Sequence, residues 1–159
     1  MVRMTQEFLS AVGSVVVEFA LLEQQLDAAA WSVLVGTRLE DQAAGRLITA
    51  GLSSRKTLEL FAALVRHRFV DRVDSDLTLL CKQVVQAEEK RNLVVHSTWA
   101  LAEDAQFMRI KTTRTGDLTF CKMTAADLRA IAAEVHSAAE AVINFHLSLL
   151  QPGHQQVTL

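Results

Sequence analysis

Three side chains near the middle of the chain are of the types that can cleave a phosphate ester without a metal ion. Arg91, Asn92 and His96 all lie within ten consecutive residues. Histidine titrates near neutral pH, and its proton transfers typically contribute ~10²–10⁴ in rate. Arginine keeps its charge, and its planar fork binds two phosphate oxygens at once. Together with an amide that orients either partner, these groups suit RNA cleavage. In that reaction a 2′-OH loses a proton, a crowded phosphoryl transition state is stabilised and a leaving 5′ oxygen gains a proton.

The spacing of these residues is informative because a polar residue directly follows the arginine. With eleven Arg and five His in 159 residues, an Arg followed by a His after four to six residues is expected about once by chance. Arg129 and His136 form a second such pair, but Ala130 follows that arginine. Requiring Asn, Asp or His after the arginine lowers the chance expectation to about one in ten. Only the Arg91 motif meets this requirement.

The motif resembles that of the HEPN superfamily, in which Arg, a polar residue and a later His lie late in a small helical bundle. The resemblance covers residues 1–150 loosely and Arg91–His96 specifically. It implies a metal-independent endoribonuclease that cleaves through 2′-OH attack and leaves 2′,3′-cyclic phosphate ends. His96 would be the acid/base, Arg91 the phosphate clamp and Asn92 the orienting group. The resemblance also implies a homodimer whose two motifs line one cleft. It further implies a role as a toxin or defence effector that an antitoxin or another protein partner restrains.

The same residues allow a structural interpretation. Arg91 can form a surface ion pair with Glu88 one turn earlier, and His96 can be a packed histidine bonded to a carbonyl. On a continuous helix Asn92 and His96 lie about 40° apart, whereas Arg91 lies about 140° from His96. Convergence therefore needs the Arg91 side chain to reach round the helix, the helix to end early, or a second subunit to supply the arginine. The alternative function is a non-catalytic helical-bundle homodimer that binds RNA, a nucleotide or a protein.

The motif must be positioned by helices, which are predicted from apolar residues at three- and four-residue steps. In the first helix this apolar stripe includes Val12 and Val16. Ser53 or Ser54 can cap the second long helix, and the last helix begins with a capping-box pattern at Thr124. The predicted helical ranges are about 4–35, 41–50, 53–69, 74–94 and 124–151.

Between the last two long helices the pattern changes from helical to alternating, which predicts a three-stranded meander over about 97–122. The predicted fold is mainly α. It is an up-and-down bundle of four long helices plus a short helix, with a small three-stranded antiparallel β insertion before the last helix. Residues 1–150 are expected to form one domain, and 151–159 a C-terminal tail.

Basic side chains on the predicted meander are candidates for contact with an RNA backbone, with Asp117 the single nearby acid. Trp99 and Phe107 could stack a base or belong to the core. A second basic cluster, over 66–72, ends the second long helix. A solvated charged face is the alternative for both clusters. The candidate RNA-binding cations of the meander are Arg109, Lys111, Arg114 and Lys122.

Composition limits the other function classes. The formal net charge is −2, so any polyanion site must be a local patch. Cys81 and Cys121 lack the spacing of a zinc site or a disulfide framework, which favours a reducing cytoplasm. No Glu-x-x-His pair and no glycine-rich phosphate loop is present, so neither a metal nor a cofactor is expected. The N-terminal residues lack an apolar signal core, and we expect neither secretion nor membrane insertion.

Overall fold

Long helices make up most of the described chain. The computed structural model describes residues 4–36, 39–69, 74–101, 107–112 and 115–151. The elements of these ranges are α1 Gln6–Val35, α2 Leu39–Thr49, α3 Ser54–Arg68, α4 Asp74–Val95, β1 Thr98–Leu101, β2 Phe107–Thr112, β3 Leu118–Met123 and α5 Ala125–Leu149. The predicted fold class, a mainly helical chain with a small three-stranded antiparallel sheet before the last helix, is confirmed.

Side-chain contacts fix the direction of the long helices. At the start of α5, Arg129 Nη2 donates to Glu7 Oε1 near the start of α1 at 2.7 Å, so these two helices begin at the same end. At the close of α3, Arg68 Nη2 donates to the carbonyl of Leu34, near the end of α1, at 3.2 Å. Since α4 runs back and its buried Val94 lies in the same cluster as the first turn of α1, the helices α1, α3 and α5 point one way and α4 points the other.

The helix starts follow the capping residues. Thr5 caps α1, and Ser53 rather than Ser54 caps α3. In each helix the hydroxyl of the capping residue accepts from a backbone N–H within the first turn. The predicted capping box of α5 is confirmed, because Thr124 and Asp127 bond each other's backbone N–H groups. These bonds lower the pKa of the Asp127 carboxyl below its usual range, as expected where hydrogen bonds favour the charged form.

The core consists of two clusters of buried side chains. The smaller lies at the sheet end of the bundle and joins the first half of α1 to Val94, Phe107 and the start of α5. The larger joins the second half of α1 to α3, α4 and α5. Phe8 and Val15 of α1 belong to the smaller cluster, whereas its residues from Phe19 to Val33 belong to the larger. A single helix therefore passes through both clusters.

One part of the predicted α1 stripe is wrong. Val16 is 42% exposed, and Val12 only packs against the edge of the core. Val16 follows the fully buried Val15 and so points about 100° away from it around the helix. With Leu9, Val17 and Leu21, each also exposed, it forms an uncovered apolar face, which we call the outer α1 face.

By length and composition alone, α1 is apolar enough to cross a membrane, a test that the core helix of a water-soluble protein also passes. In the bundle, nine of its residues are buried. The cytoplasmic location expected from the sequence stays a prediction.

Candidate active site

Arg91 occupies a position on α4 that packing alone would assign to an apolar residue. The buried residues of this helix recur at steps of three and four, and the same steps from Ala87 to Val94 pass through residue 91. Arg91 is partly buried, its Cζ lies 5.2 Å from the centre of the Phe19 ring, and its Nε is buried without a hydrogen-bond partner in the described residues. Burying such a group costs free energy, so packing does not explain the choice of residue. The buried residues that set this register are Leu77, Leu80, Val84, Ala87 and Val94.

The structure brings the three predicted residues together within one chain. Arg91 Nη1 donates to Asn92 Oδ1 at 2.9 Å and lies 3.5 Å from His96 Nε2. α4 extends to Val95, so the arginine side chain reaches round the last turn of the helix to the imidazole. The backbone N–H of His96 still donates to the carbonyl of Asn92 at 3.0 Å, which places the imidazole in the turn before β1. Arg91 and His96 therefore meet without help from a second subunit.

The described contacts differ from those that the structural interpretation predicts. Glu88 pairs with Arg55 of α3 at 2.8 Å, and no carboxylate of the described residues pairs with Arg91. His96 is exposed rather than sealed in the core. The guanidinium thus contacts a neutral amide and an imidazole, and no described acid neutralises its positive charge.

The Arg91 contact is compatible with one tautomer of the His96 ring. A guanidinium has donors only, so it can bond Nε2 only when that nitrogen is unprotonated and the ring proton sits on Nδ1. The separation of 3.5 Å lies beyond the usual range of such bonds, so the contact is weak. A stronger acceptor, such as a phosphate oxygen, would draw Arg91 away from the imidazole.

The motif lies beyond the start of α3, towards the sheet end of the bundle. The Ser54 hydroxyl donates to Glu23 on α1, and the neighbouring Arg55 pairs with Glu88 on α4. Phe19 lies about one turn before Glu23 on α1, and Arg91 lies about one turn after Glu88 on α4. Arg91 and Phe19 are therefore closer to the sheet than the first residues of α3 are.

The predicted RNA-binding cations fall on two faces of the sheet. Strand alternation places Arg109 and Lys111 on the face that carries Phe107, whereas Lys122 pairs with Met108 and lies on the opposite face. Arg109 lies beside Trp99 in the register, and its Nε is buried without a hydrogen-bond partner among the described atoms. Arg114 lies outside the described residues. The role of these cations in RNA binding stays a prediction.

The aromatic residues singled out from the sequence serve the core. Phe107 is 4% exposed, and its ring lies 4.1 Å from that of Phe8 between centroids. Trp99 meets Phe8 edge-on at 5.2 Å and donates Nε1 to the Val94 carbonyl at 3.2 Å. The exposed aromatic of the sheet is Phe120, at 57%. Its position on an edge strand could be recognised only after the strand order was known.

The basic cluster at the end of α3 is engaged in structural contacts. Arg66 Nε pairs with Asp74 at 3.2 Å, and Arg68 donates a hydrogen bond to the Leu34 carbonyl. Arg72 lies outside the described residues. The described arginines of this cluster therefore help to join α3 to α4 and α1.

His136 and His146 of α5 lie outside the motif. His136 Nδ1 is 2.9 Å from Glu18 Oε2, and this contact, with a smaller effect of Glu140, raises the pKa of His136. Burial lowers the pKa of His146. In the ranges that the structure describes, no group of three or more His, Cys, Asp or Glu side chains is placed to hold a metal ion.

Comparisons with protein-family models, curated proteins and solved structures gave no match for this chain. The geometry around Arg91 is therefore the basis on which a function can be argued.

Proposed function

We propose that the chain is a HEPN-like, metal-independent endoribonuclease that cleaves RNA through 2′-OH attack. The observation that supports this most is the placement of Arg91. A partly buried arginine takes a core position of α4, has no described carboxylate partner, and contacts Asn92 and His96 with a single nitrogen. Residues that break a packing rule without a structural gain are characteristic of functional sites.

The chemistry assigns one task to each side chain. The 2′ oxygen forms a bond to phosphorus while the bond from phosphorus to the 5′ oxygen breaks, which yields a 2′,3′-cyclic phosphate and a free 5′-OH. Arg91 binds the non-bridging oxygens, and Asn92 holds the guanidinium in position through its Oδ1. When Arg91 turns to the phosphate, His96 Nε2 is free to accept the 2′-OH proton. A protonated imidazole then supplies the proton for the 5′ oxygen.

A homodimer would place two such motifs in one cleft. The outer α1 face leaves Leu9, Val16, Val17 and Leu21 exposed, and a contiguous apolar face of this kind favours association. In that arrangement the His96 of one protomer acts as base while the second copy provides the acid. The role as a toxin or defence effector with a restraining protein partner belongs to the same proposal and derives from the motif resemblance.

The same apolar face favours a second candidate function, a non-catalytic homodimer that binds RNA, a nucleotide or a protein. Such a protein also needs a dimer interface, so dimerisation supports both candidates equally. RNA cleavage distinguishes the two candidates, because a binding module does not require an imidazole beside a guanidinium without a described acidic partner.

The test is cleavage of a mixed-sequence RNA in the presence of EDTA. His96→Ala and Arg91→Ala should each lower the rate by ~10²–10⁴, while circular dichroism remains that of the wild type. Arg129→Ala and His136→Ala are matched controls, because they form the other Arg–His pair of similar spacing and lie in surface ion pairs. Mass spectrometry should identify 2′,3′-cyclic phosphate ends.

Each outcome decides between the candidates. Loss of cleavage in the two motif variants alone supports the ribonuclease. Equal cleavage by all variants identifies a contaminating nuclease and refutes the catalytic assignment. RNA that is bound but never cut by the wild type, with weaker binding in Arg91→Ala, favours the binding module.

A further inference from the structure

A cavity of about 630 Å³ opens between α1, α2 and α5, at the opposite end of α1 from the motif. Its size falls within the range of ~300–1,000 Å³ typical of small-molecule sites. Ala28 and the indole of Trp31 provide apolar wall, and Gln24, Ser32, Arg46 and His146 provide polar groups. The cavity shares none of its lining with the Arg91 site.

Two polar atoms at this cavity lack partners. Ser32 Oγ and His146 Nε2 are both buried, and neither has a hydrogen-bond partner within the described ranges. Burial lowers the pKa of the His146 imidazole, so the ring is neutral near neutral pH and can donate or accept at Nε2. Buried polar atoms are nearly always paired in folded proteins, and a bound molecule would pair both.

A permanent positive charge stands at the same cavity. Arg46 Cζ lies 5.2 Å from the centre of the Trp31 ring, a cation–π contact. The indole is itself fixed, because its Nε1 donates to Thr49 Oγ1 at 2.6 Å. No carboxylate belongs to the described lining. The guanidinium thus lies over an aromatic ring, and no described side chain accepts from its donors.

Two described acidic residues close to this region do not pair with Arg46. Glu23 and Asp27 line a neighbouring polar pocket that also includes Arg46. The Ser54 hydroxyl donates to Glu23, and burial raises the pKa of Asp27. Neither carboxylate pairs with Arg46 in the part of the chain that the structure describes. Among the described carboxylates, none is paired with this arginine.

We infer that the cavity binds a small organic anion. Its carboxylate or phosphate group meets Arg46, its apolar body lies against Trp31 and Ala28, and its polar atoms satisfy Ser32 and His146. This activity is separate from RNA cleavage and does not depend on it.

The two tryptophans of the chain allow a direct test. In a Trp99→Phe variant, Trp31 is the sole indole and reports on the cavity. Two matched pairs of probes, AMP with adenosine and benzoate with benzamide, are titrated while the emission of Trp31 is recorded. The anion of at least one pair should bind about tenfold or more tightly than its neutral partner. Preference for AMP identifies a phosphate site, and preference for benzoate a carboxylate site.

Substitutions assign the binding to the cavity. Arg46→Gln should weaken binding of the preferred anion by about tenfold or more, whereas Arg129→Gln, a surface arginine on α5, should leave it unchanged. Two results overturn the inference: anions that bind no better than neutral partners up to about 10 mM, or equal affinity in Arg46→Gln. If Trp99→Phe does not fold, ligand-observed NMR with the wild type gives the same comparison. Because the readout is binding, its failure is distinct from a failure to cleave RNA.

Discussion

Replacing Arg91 by leucine should make the protein more stable and inactive. The substitution places an apolar side chain at a position of α4 that lies between Ala87 and Val94 in the buried register. It removes a guanidinium whose Nε is buried without a described partner. Stability and activity are expected to change in opposite directions, which distinguishes a functional residue from a structural one.

The size of the effect follows from the contacts. Removing a buried unpartnered polar atom raises the free energy of unfolding by about 1–3 kcal/mol. Burying part of a leucine side chain raises it by about 1 kcal/mol more. The losses are a charge-assisted bond to Asn92, worth about 1.5 kcal/mol, and the contact with the Phe19 ring, worth about 0.5–1 kcal/mol. The net gain is about 1 kcal/mol, which raises Tm by about 2–4 °C in a chain of this size.

The assay combines thermal unfolding with RNA cleavage on the same preparations. Lys82→Leu provides the control, because it introduces the same side chain at an exposed position of the same helix. It should change stability by no more than about 0.5 kcal/mol and leave cleavage intact. A fall in the free energy of unfolding of more than about 1 kcal/mol in Arg91→Leu would show that the arginine is needed for folding, and the argument from its position would fail.

Three further predictions concern other parts of the fold. Because Glu18 raises the pKa of His136, the stabilisation from protonated His136 is complete below the ordinary value of about 6.5 and is lost as pH rises through the higher folded value. His136→Gln should remove this decline from a series of Tm measurements between about pH 5.5 and 8.5, and an unchanged slope would contradict it. In Gly45→Ala the new Cβ would lie 2.8 Å from Trp31 Cβ. An overpacking cost of about 1–3 kcal/mol should then exceed the helix-propensity gain of about 1 kcal/mol, so urea unfolding at or above wild-type stability would refute the clash. Val16→Asp on the outer α1 face should yield monomers in light scattering at about 100 µM, and a wild type that is monomeric under the same conditions would remove the dimer from the proposal.

Local sequence signals predicted most of the fold. Thr124 and Asp127 specify the start of α5 through bonds within one turn, so no distant contact is needed to place it. The end of α4 was predictable for a similar reason, since β-branched residues and the strand-like Thr98–Trp99 follow Asn92. Caps and breaks of this kind depend on neighbours in sequence, and these are fully visible in a single chain.

Exposure of a helix face was not predictable in the same way. Val16 and Val15 are both apolar, and Val15 is the one covered because it packs in the cluster that α1 forms with α4, the sheet and α5. These contacts join residues far apart in sequence. The faces of Arg109 and Lys122 depend in the same way on strand register.

The inward position of Arg91 could have been found from the sequence. Counting steps of three and four from Leu77 along α4 arrives at residue 91 before Val94. The charge of Arg91 indicates phosphate binding, but its position in register with the apolar stripe is the stronger sign of a functional residue. The contact with Phe19 could not be predicted, because it depends on how two helices cross.

The passage of α1 through both core clusters bears on how the molecule unfolds. Val15 is buried in one cluster and Phe19 in the other, so one turn of backbone joins the two. Neither cluster can lose α1 without exposing apolar surface in the other, which favours a single cooperative transition. The two tryptophans, which lie in different regions of the bundle, should therefore report the same denaturation midpoint. A fragment that lacks α1 should fold into neither of the two core clusters.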